Sequence, residues 1–328
     1  MSPRRSIQMF GRSVPLWALA LVVAAIAGGV LVLSLTGDAK PRLEMTVETF
    51  EVGDSPQDLD VFDSVVWVVN GGDQTAQRIS TIPMETEPDR PVRLGTLPGQ
   101  VAIADDAIWI GAIEGDEITR IGPDGPRSVR VGRTPQSVTV GPDAIWVASF
   151  DDGSLWRISP EGQPAPEEFP LEGAFPSALA TGFGSVWITD VVSNNVLRVD
   201  EATGEVTDEI PVGDSPTAIA VGEGGVWVAN YNDATVTHID PETNSVVGQA
   251  IIVGARPGGI ATGDGSVWVT RPESDSVIRI DPLENEWTGE VFGVGDAPQG
   301  IAVGAGSVWT ADQGSDTVTR LTPKEQQD

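Results

Sequence analysis

Residues 211–248 read PVGDSPTAIAVGEGGVWVANYNDATVTHIDPETNSVVG, and this stretch decides the fold. It divides into strand-like runs, TAIAVG (217–222), GVWVAN (225–230) and TVTHID (235–240), with VVGQAIIV (246–253) following. Gly222-Glu223-Gly224 supplies the positive φ that a tight turn between strands needs. Asp240-Pro241-Glu242-Thr243-Asn244 sets a proline where a type I turn uses its fixed φ. TVTHI alternates in polarity, whereas AIAV is almost wholly small and apolar, which suits an innermost strand crowded around an axis.

Working outward, the same unit recurs along the chain. GRTPQSVTVGPDAIWVAS (132–149), GAFPSALATGFGSVWITD (173–190), GARPGGIATGDGSVWVTR (254–271) and GDAPQGIAVGAGSVWTAD (295–312) repeat GDSPTAIAVGEGGVWVAN (213–230). Two more divergent copies lie at 53–70 and 95–112. The marker tryptophans are Trp67, Trp109, Trp146, Trp187, Trp227, Trp268 and Trp309, spaced 42, 37, 41, 40, 41 and 41 residues apart. A period near 40 with four strands per unit predicts an all-β, seven-bladed β-propeller, with these tryptophans packed between blades. The last unit ends at Leu321 without a fourth strand, and MTVETFEV (45–52) has the fourth-strand pattern. An N-terminal strand is therefore expected to complete the last blade and close the ring. Trp156 and Trp287 fall outside the repeat register and are expected on outer strands.

The chain of 328 residues carries a net charge of −29, has no cysteine and contains one histidine. The acid is unevenly placed, since Arg4, Arg5, Arg12 and Lys40 precede a remainder with 15 basic and 47 acidic residues. Such a surface repels phosphate backbones, so no nucleic-acid partner is expected. Absence of cysteine excludes disulfides, thiolate metal sites and cysteine nucleophiles. Ser13 to Gly37 is uncharged and includes LWALALVVAAIAGGVLVLSL, long enough to span a bilayer as a helix. Arginines on its N-terminal side place the N-terminus in the cytoplasm. A cleaved signal peptide is the rival reading, with a shorter apolar region. The expected organisation is a cytoplasmic segment 1–12, a transmembrane signal-anchor helix 13–37, a linker 38–43, the propeller 44–323 outside the cell membrane, and a tail 324–328.

The quoted repeat resembles the YVTN-type β-propeller repeat, and its GSVW form is similar to the virginiamycin B lyase-like subgroup, over residues 45–323. The resemblance implies a lyase centre of histidines and a glutamate around magnesium in the central mouth. The one histidine, His238, stands where the other units carry Arg78, Arg120, Arg157, Arg198, Arg279 and Arg320, so that constellation is not matched and no catalytic residue is assigned. No Gly-x-Ser-x-Gly elbow, phosphate-binding Gly-Lys-Ser/Thr loop or zinc histidine pair is present either.

A polar loop face remains. Three residues past each marker tryptophan come Asn70, Ala112, Ser149, Asp190, Asn230, Arg271 and Asp312. The loops leading into the first strands add Asp54, Arg133, Asp214, Arg256 and Asp296. These positions vary against a repeated frame and form the expected binding face. Its carboxylates and amides suit calcium or magnesium, and its arginines suit a ligand carboxylate. The expected function is a non-enzymatic binding, sensor or scaffold domain for a protein or cell-envelope partner. A metal-dependent lyase or lactone hydrolase is the alternative.

Overall fold

In the computed structural model, residues 42–80, 90–104, 107–161 and 165–324 are described, with backbone alone at 8–9, 12–13, 22–26 and 29–33. Residues 44–328 form one compact unit and residues 1–43 another. The larger unit holds seven antiparallel sheets, six of four strands and one of five, each built as a meander from the axis outward. Blade one comprises Pro56–Phe62, Val65–Asn70, Thr75–Ser80 and Val92–Arg93; blade five starts at Pro216–Gly222 and blade six at Ile260–Gly263. Blade seven takes Pro298–Gly304, Ser307–Asp312 and Thr317–Pro323 from the C-terminal end, and Met45–Glu51 as its fourth strand. Seven residues pair in that closing ladder, from Thr317↔Glu51 to Pro323↔Met45, as the incomplete last repeat demanded.

The tryptophans pack where the period places them. Trp187 of blade four lies with Ile219, Val226, Val228 and Ile239 of blade five, and Trp309 of blade seven with Leu59, Val66, Val68 and Ile79 of blade one. The indole N–H of Trp187, Trp227 and Trp309 donates to the carbonyl of Gly182, Gly222 and Gly304, at 3.1, 3.2 and 3.2 Å. Glycine is required at 222 because a Cβ there would overlap Thr262 of the next blade. Each marker tryptophan also faces the repeat's third-strand basic residue in register, from Trp67↔Arg78 to Trp309↔Arg320.

Two expectations need correction. The fourth strand of blade five is not continuous: it pairs at Ser245–Val246 and again at Ile251–Ile252, with Gly248 at φ +67° between the two pieces. Trp156 lies on a third strand, Ser154–Ile158, while Trp287 is on an outer one, Glu286–Gly293. The helix expected over 13–37 falls largely outside the described residues. Its described backbone is extended, with Val22–Ile26 paired to Gly29–Leu33, a conformation that β-branched Val and Ile favour. Among the described residues no helix is long and apolar enough to cross a membrane.

Candidate functional site

Pro56↔Asn70, Pro176↔Asp190, Pro216↔Asn230 and Pro298↔Asp312 are register partners. The start of each first strand and the end of its second therefore share one end of the ring, as expected. Their side chains, however, are shut inside. Asn70, Ser149, Asn230 and Asp312 are fully buried, and Asp190 and Arg271 nearly so. Asn230 Nδ2 donates to Thr235 and Thr237 hydroxyls at 3.0 and 2.8 Å, and Asn70 Nδ2 to Thr75 at 3.1 Å. Asp190 Oδ1 accepts the backbone N–H of Phe175, Val192 and Ser193. Asp312 accepts hydroxyls of Thr310 and Thr319, and burial raises its pKa. Arg271 donates to Ser276 and to the carbonyl of Val253, and lies over Trp287. These groups tie the second strand to the third strand and the lead-in loop.

The exposed part of that end is built from lead-in loops clasped by a second repeated device. The backbone N–H of Asp54, Arg133 and Asp214 donates to Asp73, Asp152 and Asp233, each nineteen residues on, at 2.9, 2.7 and 2.7 Å. Arg133 also pairs with Asp152 through its guanidinium, and the Arg133 backbone N–H, helped by that guanidinium, holds the Asp152 carboxyl below its ordinary pKa. Neighbouring blades lock together when Ser55, Ser215 and Ala297 N–H donate to Asp316, Asn194 and Asp275 of the preceding blade, each at 2.9 Å. Arg256 is exposed, pairs with Glu273 at 3.5 Å and stacks over Tyr231.

Inside this ring of loops the axis opens into a cavity of about 410 Å³. Its wall comes from the residues that follow the repeat's proline: Gln57, Gln136, Ser177, Thr217 and Gln299, with Gln100 beside them and Gly99, Gly258, Gly259 and Gly300 between. The sheets explain why these side chains leave the strand ladders. Register slips by a residue or more directly after Pro56, Pro98, Pro176, Pro216 and Pro298, a β-bulge repeated blade after blade. A bulge re-aims one side chain and frees one N–H. A threonine on the second strand takes up one freed donor, Thr189 from Ala178 N–H at 2.9 Å, and in blade six, without a bulge, Thr270 likewise accepts Gly259 N–H at 2.7 Å. Wall groups also bond from blade to blade: Ser137 Oγ donates to Gln100, Gln136 Nε2 to the Ser177 carbonyl and Ser177 Oγ to the Pro216 carbonyl.

One ionisable group lines the cavity, Asp58. A carboxylate oxygen accepts the Val101 N–H of blade two at 2.9 Å, and Asp60 repeats the bond with Ile103 at 2.8 Å. Burial pushes the Asp58 pKa up to about 7, and Asp60 adds to the rise. Asp58 was not among the sequence-derived candidates.

A family model for the virginiamycin B lyase family matches residues 61–321. The chain belongs to that family. Solved structures agree on the fold: virginiamycin B lyase from Staphylococcus aureus is 20% identical, with a TM-score of 0.76 over 86% of this chain and 100% of that one. A streptogramin B lyase structure is 19% identical at 0.75, covering 85% and 98%. Kuenenia stuttgartiensis hydrazine synthase is 12% identical at 0.71, covering 90% and 100%. Among curated proteins, none matches the chain. A catalytically inactive histidine-to-alanine variant of the S. aureus lyase, with quinupristin, shares the fold at 19% identity and a TM-score of 0.73, over 86% of this chain and 100% of that one.

In this family member the one histidine is far from being a free base. His238 stacks on Trp227 with ring centroids 3.8 Å apart, its Nδ1 lies 3.2 Å from Asn285 Oδ1, and burial lowers its pKa. It occupies the seat in which Arg198, Arg279 and Arg320 bond Ser185, Ser266 and Ser307 at 2.9, 2.8 and 2.9 Å. Blade five has Gly225 where those serines stand, and a Cβ there would overlap His238 Nε2. Gly225 and His238 are thus a matched pair replacing Ser and Arg. Gly225→Ser alone is expected to destabilise by about 2 kcal/mol, the usual cost of overpacking. In a His238→Arg background the same change should be close to neutral. A denaturant double-mutant cycle measures this, and additive effects would refute the pairing.

The magnesium centre implied by the family does not fit the cavity. Among the described residues no group of three His, Asp or Glu side chains is placed to hold a metal, and the wall offers amides, hydroxyls and Asp58.

Proposed function

We propose that this chain is a membrane-tethered, extracytoplasmic recognition propeller that seats a polar group of a protein or cell-envelope ligand in its channel mouth without transforming it. The observation that carries this reading is the chemistry of the cavity wall. Glutamine amides and Ser and Thr hydroxyls present both donors and acceptors, and among the described residues the only ionisable wall group is Asp58. Acid–base catalysis needs a positioned pair, and His238 is committed to Trp227. The uncharged stretch 13–37 is the proposed tether; within hydrocarbon a helix satisfies all its backbone groups internally, so the bilayer favours that form. A metal-dependent lyase or lactone hydrolase is the second reading, supported by family membership.

Two arms test the proposal together. Full-length protein incubated with quinupristin and magnesium is expected to return it unopened by chromatography. Ring opening above the protein-free control, abolished by chelator, would establish the second reading instead. A photo-crosslinker at Gln136 in native membranes should trap one reproducible species, and one at exposed Glu161 on the described surface should not. Equal background at both positions would remove the channel mouth as the recognition site.

A further inference from the structure

We propose that the channel cavity binds an organic ammonium group, with Asp58 as its counter-charge and the glutamine carbonyls and Thr217 hydroxyl as further acceptors. This rests on the reading that the ligand seats in the channel mouth.

The position two residues after the repeat's proline is Gln100, Ser137, Ala178, Ala218, Gly259 and Gly300 in blades two to seven, and Asp58 in blade one. The carboxylate therefore departs from a neutral pattern at one point of the wall. No cation faces it. Its own strand offers only Asp60, two residues away, which is also acidic and half-buried. The second strand of its blade, Val65–Asn70, carries no charged residue. Nor do the flanking first strands, Pro98–Ala104 of blade two and Pro298–Gly304 of blade seven. A carboxylate half-withdrawn from water without a cation is costly, and its bond to Val101 N–H meets only part of that cost. Its raised proton affinity expresses the same deficit: the group takes up a proton when no other cation is offered.

An ammonium group entering the cavity supplies the missing cation. Its three N–H donors need acceptors at separate points, which is how the wall is arranged, with an amide or hydroxyl from every blade but the sixth, which gives only Gly258 and Gly259. Thr217 Oγ1 in that wall is closed to solvent and has no hydrogen-bond partner. A guanidinium would ask instead for two coplanar acceptors from one group, and Asp58 already spends an oxygen on Val101. The acidic surface outside the channel repels anions and draws cations toward the mouth.

The test is isothermal titration of the full-length protein in detergent with pentane-1,5-diamine and with pentane-1,5-diol. Salt is kept high so that surface attraction is screened. The diamine is expected to bind saturably, one per chain, at pH 8, and the diol not to bind. At pH 5.5 the affinity should fall by about 30-fold, because a carboxyl of pKa about 7 is then almost wholly protonated. Asp58→Asn should weaken diamine binding at least about tenfold at pH 8 and remove the pH dependence, with its circular dichroism unchanged. Gln299→Trp, which fills the cavity, should abolish binding. Loss with Gln299→Trp but not with Asp58→Asn would overturn the role of Asp58 and leave the channel as the ligand's seat. Binding indifferent to both would overturn the role and the seat alike. Absence of saturable diamine binding would overturn the ammonium assignment.

Discussion

Removing residues 45–51 is expected to open the ring and bring its thermal unfolding down by more than about 10 °C, with self-association at micromolar concentration. The closing strand forms a seven-residue ladder with Thr317–Pro323, and the two segments are more than 260 residues apart in sequence. With the Trp309 cluster and the Ser55–Asp316 bond, it joins the start of the propeller to its end. Phe50 on this strand packs against Trp309 with ring centroids 5.8 Å apart, and Glu48 lies 3.4 Å from Arg320. Losing the phenyl ring from the Trp309 cluster alone should cost roughly 3 kcal/mol, at the low end for Phe→Ala because Phe50 is only partly buried. The salt bridge is partly exposed and adds little. The larger consequence is the third strand of blade seven, whose outer N–H and C=O groups become a free edge ready to pair with another chain. Differential scanning calorimetry and sedimentation of the truncated protein read both effects. A synthetic peptide covering 45–52, supplied in trans, should recover part of the lost stability by refilling the edge. A truncated protein that stays monomeric with unchanged unfolding would show that the ring does not depend on this closure.

The closing strand was legible because a repeat that runs out one strand short requires that strand elsewhere, and MTVETFEV carried the pattern. The tryptophans were legible for the same reason: a large apolar side chain at a fixed phase of every unit has one geometric role. The functional end was harder to read. Asn70, Asp190, Asn230 and Arg271 vary from blade to blade, and variation against a repeated frame suggested an exposed face. Their partners vary with them, however: Thr75 and Thr237 serve the asparagines, Ser276 serves Arg271, and backbone N–H groups serve Asp190. Each blade solves the same buried connection differently, so variability there reports compensation and not exposure. The cavity wall did have a signal, the polar residue directly after each repeat's proline in Gln57, Gln136, Ser177, Thr217 and Gln299. Read as ordinary strand starts, those residues alternate like their neighbours. In four of these five blades a bulge after the proline turns them toward the axis, and a bulge depends on register between strands that spacing alone does not reveal. The Gly225–His238 exchange was half visible: the histidine was recognised as standing in an arginine slot, but not the glycine that makes room for it.

Trp187→Ala is expected to cost about 3–5 kcal/mol, the range for a large aromatic removed from a packed core. Trp187 is fully excluded from solvent and bridges two blades, with Ala178 and Val196 of its own sheet on one side and Ile219, Val226, Val228 and Ile239 of the next on the other. Its truncation removes the Nε1 bond to the Gly182 carbonyl at 3.1 Å. It also takes the ring from under Arg198, whose guanidinium lies 4.8 Å above its centroid. Arg198 keeps Ser185, Asn244 and the Pro241 carbonyl, so it stays in place above a void instead of collapsing into it. That rigidity argues for the upper half of the range, since the penalty for a cavity grows when its walls cannot close in. Trp67→Ala is the internal comparison. Trp67 holds the same register position, opposite Arg78, but is only partly buried against the Val101, Ile108 and Ile110 cluster of blade two. Its loss should cost about half as much, because less apolar surface was removed from water to begin with. Denaturant unfolding of both variants side by side measures the difference, and equal losses would mean that burial between blades is not what these tryptophans contribute.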